Sequence, residues 1–264
     1  MLYEYLVRYH AGALAAVAAY AVWLAVTYMG KPDQVSRPLH CLADVVVLYV
    51  VVIAIDAVAQ AAAPQGLRGL EGAYNACRAA AESGTQLLTQ VVQSYVVGVL
   101  PIVGYPLLAI VQDSTGWSRS LIEYGVSLYS STAAIYWILA LFSEPLLAAG
   151  AFLLPLPRTR RVGAVLVSIV LAFTISAPMS ANACSRGAVE FQGFAGFGSI
   201  ILNSTTSITS LNVTKLVQQA WGIADALGKA APTYFNGAIE AAFWAGLAAT
   251  VIGGLAYIFK ELEL

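Results

Sequence analysis

The chain predicts an all-α integral membrane protein of about six transmembrane helices, and three observations carry that expectation. Of its 264 residues, 59% are hydrophobic and 10% charged, where soluble domains carry roughly a quarter charged residues. Mean hydropathy is +0.76. The apolar residues also come in runs of roughly the twenty that a helix needs to cross hydrocarbon. So little charge cannot coat a water-exposed globule of this size, and the apolar excess is expected to face the lipid of a cell membrane, in a multi-pass protein.

Taken in order, the apolar runs are about 10–29, 43–63, 87–111, 121–143, 162–183 and 238–259, read as one polytopic domain over 1–264. The first exceeds a signal-peptide core, and Tyr28-Met29-Gly30-Lys31-Pro32 offers no small-x-small cleavage site, so it reads as a retained span. Pro101 and Pro106 predict a kink in the third. Leu121 to Pro157 as one helix would measure about 55 Å, nearly twice the hydrocarbon thickness. A break is therefore expected at Ser143-Glu144-Pro145, where proline removes a donor and crowds the preceding turn. The piece 146–156 is then too short to span and reads as re-entrant or interfacial.

Orientation follows from Lys and Arg near helix ends, which accumulate on the cytoplasmic side. With both termini inside, Arg8, Arg68, Arg78, Arg158, Arg160, Arg161 and Lys260 are cytoplasmic, against Lys31, Arg37 and Arg119 in short outer loops. The long loop 184–237 then lies outside, where it holds the N-glycosylation acceptors Asn203-Ser204-Thr205 and Asn212-Val213-Thr214. Two amphipathic helices complete the outline. In 65–84, Arg68, Glu71, Asn75, Arg78 and Glu82 oppose Leu67, Leu70, Tyr74, Cys77 and Ala81, the pattern of a helix lying on the inner membrane face. Within the outer loop, Lys215, Gln218, Gln219, Asp225 and Lys229 oppose Leu216, Ala220, Trp221, Ala224 and Leu227.

Few residues suggest chemistry. Asp56 sits near the middle of the second run, where an ionised carboxylate must be paired, protonated or wetted; it reads either as a proton or cation relay or as a structural hydrogen bond. Gln86, Gln90 and Gln93 share one helix face at i, i+4 and i+7, pointing into the bundle to line a hydrated path or to bond neighbouring helices. Glu144 reads as a marker of the helix break. Gly246, Thr250 and Gly254 form a small-xxx-small row for close helix packing, within the chain or between copies. Cys41 and Cys184 fall on the outer side, with Cys77 inside, so a Cys41–Cys184 disulfide is expected, worth on the order of 4 kcal/mol by loop closure. His40-Cys41 beside Asp44 reads as a loop-to-helix boundary. There is no CxxC, Walker loop, HExxH or GxSxG. The expectation is therefore no enzyme, no cofactor and no metal.

Size, helix number, the basic turn Pro155-Leu156-Pro157-Arg158-Thr159-Arg160-Arg161-Val162-Gly163, and a glycosylatable outer loop before a small-residue final helix give a resemblance. The architecture resembles the polytopic membrane subunit of DNA-transfer machines, the CedA type of the archaeal Ced DNA-import system, similar to TrbL-type conjugation and type IV secretion proteins. The resemblance implies a membrane channel or scaffold working with small pilin-like subunits and a separate cytoplasmic ATPase, as an oligomer. It transfers no site residue. Because Asp56 and Glu144 are acidic and no Lys or Arg lies deep in a span, DNA contact is expected to be indirect. The alternative is a small-solute or ion-coupled permease built on Asp56 and the glutamines.

Overall fold

The computed structural model describes residues 2–29, 43, 47, 50, 53–54, 56–97, 104–154, 159–192 and 213–261. All regular structure among them is helical: α1 (Leu2–Tyr28), α2 (56–62), α3 (Arg68–Val97), α4 (Gly104–Leu153), α5 (Arg160–Gln192) and α6 (Val213–Glu261). Three helical segments are long and apolar enough to cross a membrane, Thr115–Leu153, Arg160–Ala188 and Ala224–Tyr257, and Ala18–Tyr28 is a shorter apolar helix.

Helices α3 to α6 are longer than the hydropathy runs suggest. The expected break at Ser143-Glu144-Pro145 does not occur, because α4 passes through Pro145 for 50 residues, about 75 Å at 1.5 Å per residue. Proline removes one backbone donor but its φ is helical, so a helix held by tertiary packing absorbs the loss. Residues 146–153 are accordingly the end of α4 and form no separate piece. Likewise the surface helix of 65–84 and the start of the third run are one helix, α3. Of the expected outer loop 184–237, residues 184–192 and 213–237 are helical, because α5 continues to Gln192 and α6 starts at Val213, and 193–212 lies outside the described residues.

The chain forms two compact units. Unit 1 is Met1–Gly72, Ile135–Pro178 and Trp244–Leu264; unit 2 is Ala73–Ala134 and Met179–Phe243. In unit 1, Ala59 joins Leu147 and Leu154 of α4 and Ala164, Val167, Val170 and Leu171 of α5 in one buried cluster. The α4–α5 hairpin is close-packed: a methyl on Gly163 would lie 2.7 Å from the Leu154 backbone nitrogen and 2.8 Å from the Gly150 carbonyl oxygen. Thr159 Oγ1 donates to the Leu153 carbonyl at 3.1 Å, satisfying an acceptor at the end of α4. The turn before α3 holds Gly66 at φ 56°, a left-handed conformation that favours glycine. Just after it, a methyl on Gly69 would touch the Ala177 Cβ at 3.8 Å. Ala59 beside 164–171 and Gly69 beside 177 make α2 and the start of α3 run parallel to α5.

In unit 2, α3 turns Ala73, Cys77, Ala80, Gly84 and Leu87 inward at spacings of three and four. Ile122 and Tyr129 of α4, Ala183 and Cys184 of α5, and Leu227, Ala231 and Tyr234 of α6 complete this core. Cys77 and Cys184 are disulfide-bonded, with Cα atoms 4.8 Å apart. That corrects the expected Cys41–Cys184 pair: Cys184 is taken, and Cys41 lies outside the described residues. It also corrects the placement of Cys77 and Cys184 on opposite sides of the membrane, since a bond of this length cannot reach across about 30 Å of hydrocarbon. The face opposite the charges of α3 was legible; its destination is the protein core, where the sequence suggested a membrane surface.

Candidate functional site

The polar residues singled out from the sequence do not converge on one site. Asp56 is 5% exposed and its Oδ1 has no hydrogen-bond partner. It precedes Ala59 by one helical turn and so stands at the edge of the unit 1 cluster. Glu144 is exposed on α4. Gln86 is exposed too, which corrects its expected inward aim: α3 buries Ala80, Gly84 and Leu87, and Gln86 falls outside that face. The side chains of Gln90 and Gln93 lie outside the described residues, as do Asn203 and Asn212. Thr85 and Thr89 hydroxyls donate to their own helix, at the Ala81 and Thr85 carbonyls.

Two further polar groups of unit 1 escaped sequence reasoning. Arg160, counted as a cytoplasmic charge, is 3% exposed with Nε unpartnered, and Ser168 is fully buried with Oγ unpartnered. Arg160, Ala164 and Ser168 recur every four residues and share one stripe of α5. The signal was present in that spacing, but a basic turn at a span's end reads first as a topology marker. Elsewhere in the unit polar groups are satisfied: the Tyr136 and Ser176 hydroxyls are 3.1 Å apart, and the Tyr136 ring meets Phe173 edge-on.

Unit 2 is instead a lock. Tyr234 donates its hydroxyl to the Ala80 carbonyl at 2.9 Å, and Tyr129 donates to the Tyr234 carbonyl at 3.3 Å. The two rings pack edge to face with centroids 5.0 Å apart. Glycines make the room: a methyl on Gly84 would collide with the Tyr234 hydroxyl, and one on Gly125 would lie 2.7 Å from that ring. A methyl on Gly237 would lie 2.6 Å from the Tyr129 hydroxyl. On the outside, Arg78–Glu82, Arg119–Glu123, Asp225–Lys229 and Arg186–Glu240 pair at 2.6 to 2.8 Å. Each pair sums to zero, so these charges form no basic track for phosphates. The Arg78 guanidinium is held above its ordinary pKa by its bonds to Glu82 and Tyr74. Trp221, placed on the apolar side from the sequence, is exposed, whereas Ala224 and Leu227 are buried.

The small-residue row of α6 faces outward. A methyl on Gly246 or Gly254 would meet nothing within 4 Å. Thr250, also exposed, turns its hydroxyl back to the Leu247 carbonyl at 2.8 Å, leaving a flat apolar strip flanked by exposed Leu247 and Val251. The row therefore packs on no other part of the described chain at these positions. No group of three His, Cys, Asp or Glu residues suited to a metal occurs among the described residues. No protein-family model, curated protein or solved structure matches the chain.

Proposed function

We propose that this chain is an oligomeric membrane scaffold of an archaeal DNA-transfer machine, a channel or pilus-base component that works with small pilin-like subunits and a separate cytoplasmic ATPase. The observation that carries the scaffold reading is the open row Gly246, Thr250 and Gly254, a surface on which two helix backbones can approach closely and which the described residues leave uncovered. The neutralised exterior of unit 2 supports indirect contact with DNA, because phosphate binding requires unpaired cations. The DNA-transfer part rests on the architectural resemblance. Deleting the gene and measuring DNA uptake tests it: uptake should be lost, and unchanged uptake would remove the reading. Co-purification should bring the ATPase or the pilin-like subunits.

The topology in this reading is multi-pass, with the apolar segments of α4, α5 and α6 in the cell membrane and the Cys77–Cys184 bond on the oxidising side. This exchanges the cytoplasmic surface helix at 65–84 for an external one. A cysteine introduced at Glu82 should react with a membrane-impermeant maleimide added to intact cells; protection until the cells are lysed would restore the internal placement.

A second reading, an ion-coupled permease, is favoured by the buried, unpartnered Asp56. Asp56→Asn separates the two. A permease loses coupled transport, whereas a scaffold keeps assembly and DNA uptake.

A further inference from the structure

We infer that the first turn of α5 binds a phosphate group, held by the Arg160 guanidinium and the open backbone amides beside it, whichever machine the chain serves. The first observation is a cation buried without a counter-charge. Arg160 is 3% exposed and its Nε lacks a hydrogen-bond partner. The four ion pairs among the described residues all lie in unit 2, and none includes Arg160. An ionised group enclosed in this way is costly unless an opposite charge reaches it.

The second observation is the state of the helix end. The Gly163 amide donates to the Thr159 carbonyl at 3.0 Å, the first bond of α5, which makes Thr159 the cap and Arg160 the first helical residue. A capping threonine ordinarily turns its side-chain oxygen to the amides that follow. Here Thr159 Oγ1 donates instead to the Leu153 carbonyl at the end of α4. The amides of Arg160, Arg161 and Val162 thus have no acceptor among the described residues. Side chains lean toward the N-terminus of their helix, so at its first residue the guanidinium extends past the end, on the side to which these amides point. Nε and the first open amide belong to one residue, and covalent geometry keeps both within reach of one oxyanion. The close approach of Gly163 to Leu154 and Gly150 holds this end in place.

The donor set names the ligand class. A guanidinium edge and a row of N-terminal amides suit an anion with several acceptor oxygens, and the positive end of a 33-residue helix adds to the attraction. Arg161, exposed beside it, supplies a second cation. Arg160 also opens the apolar segment Arg160–Ala188, which puts the turn at the headgroup level of a bilayer, where the oxyanions are lipid phosphates. Free phosphate offers the same chemistry.

The test heats the full-length protein in an uncharged maltoside detergent, which carries no phosphate. One arm adds phosphatidylglycerol, with diacylglycerol of the same chains as its reference; the other adds inorganic phosphate, with chloride at equal ionic strength as its reference. At a tenfold excess over the dissociation constant, the bound phosphate should raise the unfolding midpoint by about 3 to 5 °C over the reference. A rise in the first arm identifies a lipid headgroup and a rise in the second the free ion; either supports the site. Arg160→Gln should abolish the rise, and Arg78→Gln, at an exposed pair of unit 2, should leave it in place. Thr159→Asp gives the chain an anion of its own at the cap and should also remove the rise, an independent readout should Arg160→Gln prove unstable. Midpoints equal to the reference in both arms would overturn the site. So would a rise that survives Arg160→Gln or one that Arg78→Gln removes.

Discussion

Unit 1 presents Trp23, Val26, Ile138, Leu141, Phe142, Phe152, Val165 and Val251 to its surroundings, while unit 2 presents four ion pairs along with the amphipathic aromatics Trp117, Tyr124 and Trp221 and a smaller apolar set, Met179, Ile239 and Phe243. Their interiors are reversed. Unit 1 buries a carboxylate, a guanidinium and a hydroxyl that have unpartnered atoms, whereas unit 2 buries a disulfide and two tyrosines whose hydroxyls reach backbone carbonyls. The contrast teaches that one long helix can carry two different surfaces. An aliphatic exterior suits lipid, and an exterior carrying ion pairs, three of the four at i,i+4, suits water. Covalent closure belongs to unit 2, hydrogen bonds between helices occur in both units, and among the described residues the buried unsatisfied polar atoms, the raw material of binding or movement, belong to unit 1.

The largest effect should come from opening the lock of unit 2. Cys77→Ser removes a crosslink of sequence separation 107, worth about 5 kcal/mol in the chain-entropy model. Reducing agent should reproduce it in the native protein, as a matching fall in the unfolding midpoint; a reduced protein as stable as the oxidised one would erase the contrast between the units. Next in size are close approaches, one in each unit. Gly84→Val collides with Tyr234 in unit 2 and Gly163→Val with Leu154 and Gly150 in unit 1, and each should cost about 1–3 kcal/mol in denaturant unfolding. If the units unfold separately, the two variants will shift different transitions.

Smaller still, Tyr234→Phe removes one buried hydrogen bond to Ala80 and should cost about 1 kcal/mol. Tyr136→Phe in unit 1 should cost less, because Ser176 keeps its bond to the Phe173 carbonyl. Equal losses would mean that the two tyrosines hold their units alike. Smallest is Glu82→Gln on the exterior of unit 2. Its pair with Arg78 is exposed, and a surface pair of this kind should leave the unfolding midpoint unchanged within error.

The fold class and the buried face of α3 were legible in the sequence, because apolar run length and three-to-four spacing are local properties. Leu70, Cys77 and Ala81 are buried, and Arg68, Glu71, Arg78 and Glu82 are exposed. The helix ends were less legible. Pro145 and Ser143-Glu144 carry every local signal of a break, yet α4 continues. Charged positions such as Asp225 and Lys229 end a hydropathy run without ending a helix. The candidate site was half legible: Asp56 stood out because a lone acid in an apolar run is costly, whereas Ser168 and Arg160 gained meaning only from their burial.

By itself, the sequence determined that the chain is helical and that its apolar segments are long enough to cross a membrane, since both follow from the free energy of transferring local runs of residues. Only the tertiary structure decided which cysteine Cys184 joins, which face of α6 stays uncovered and which polar atoms are left without partners. These depend on which helices become neighbours. Hydropathy is a property of each residue, but neighbourhood is a property of the packing of distant segments.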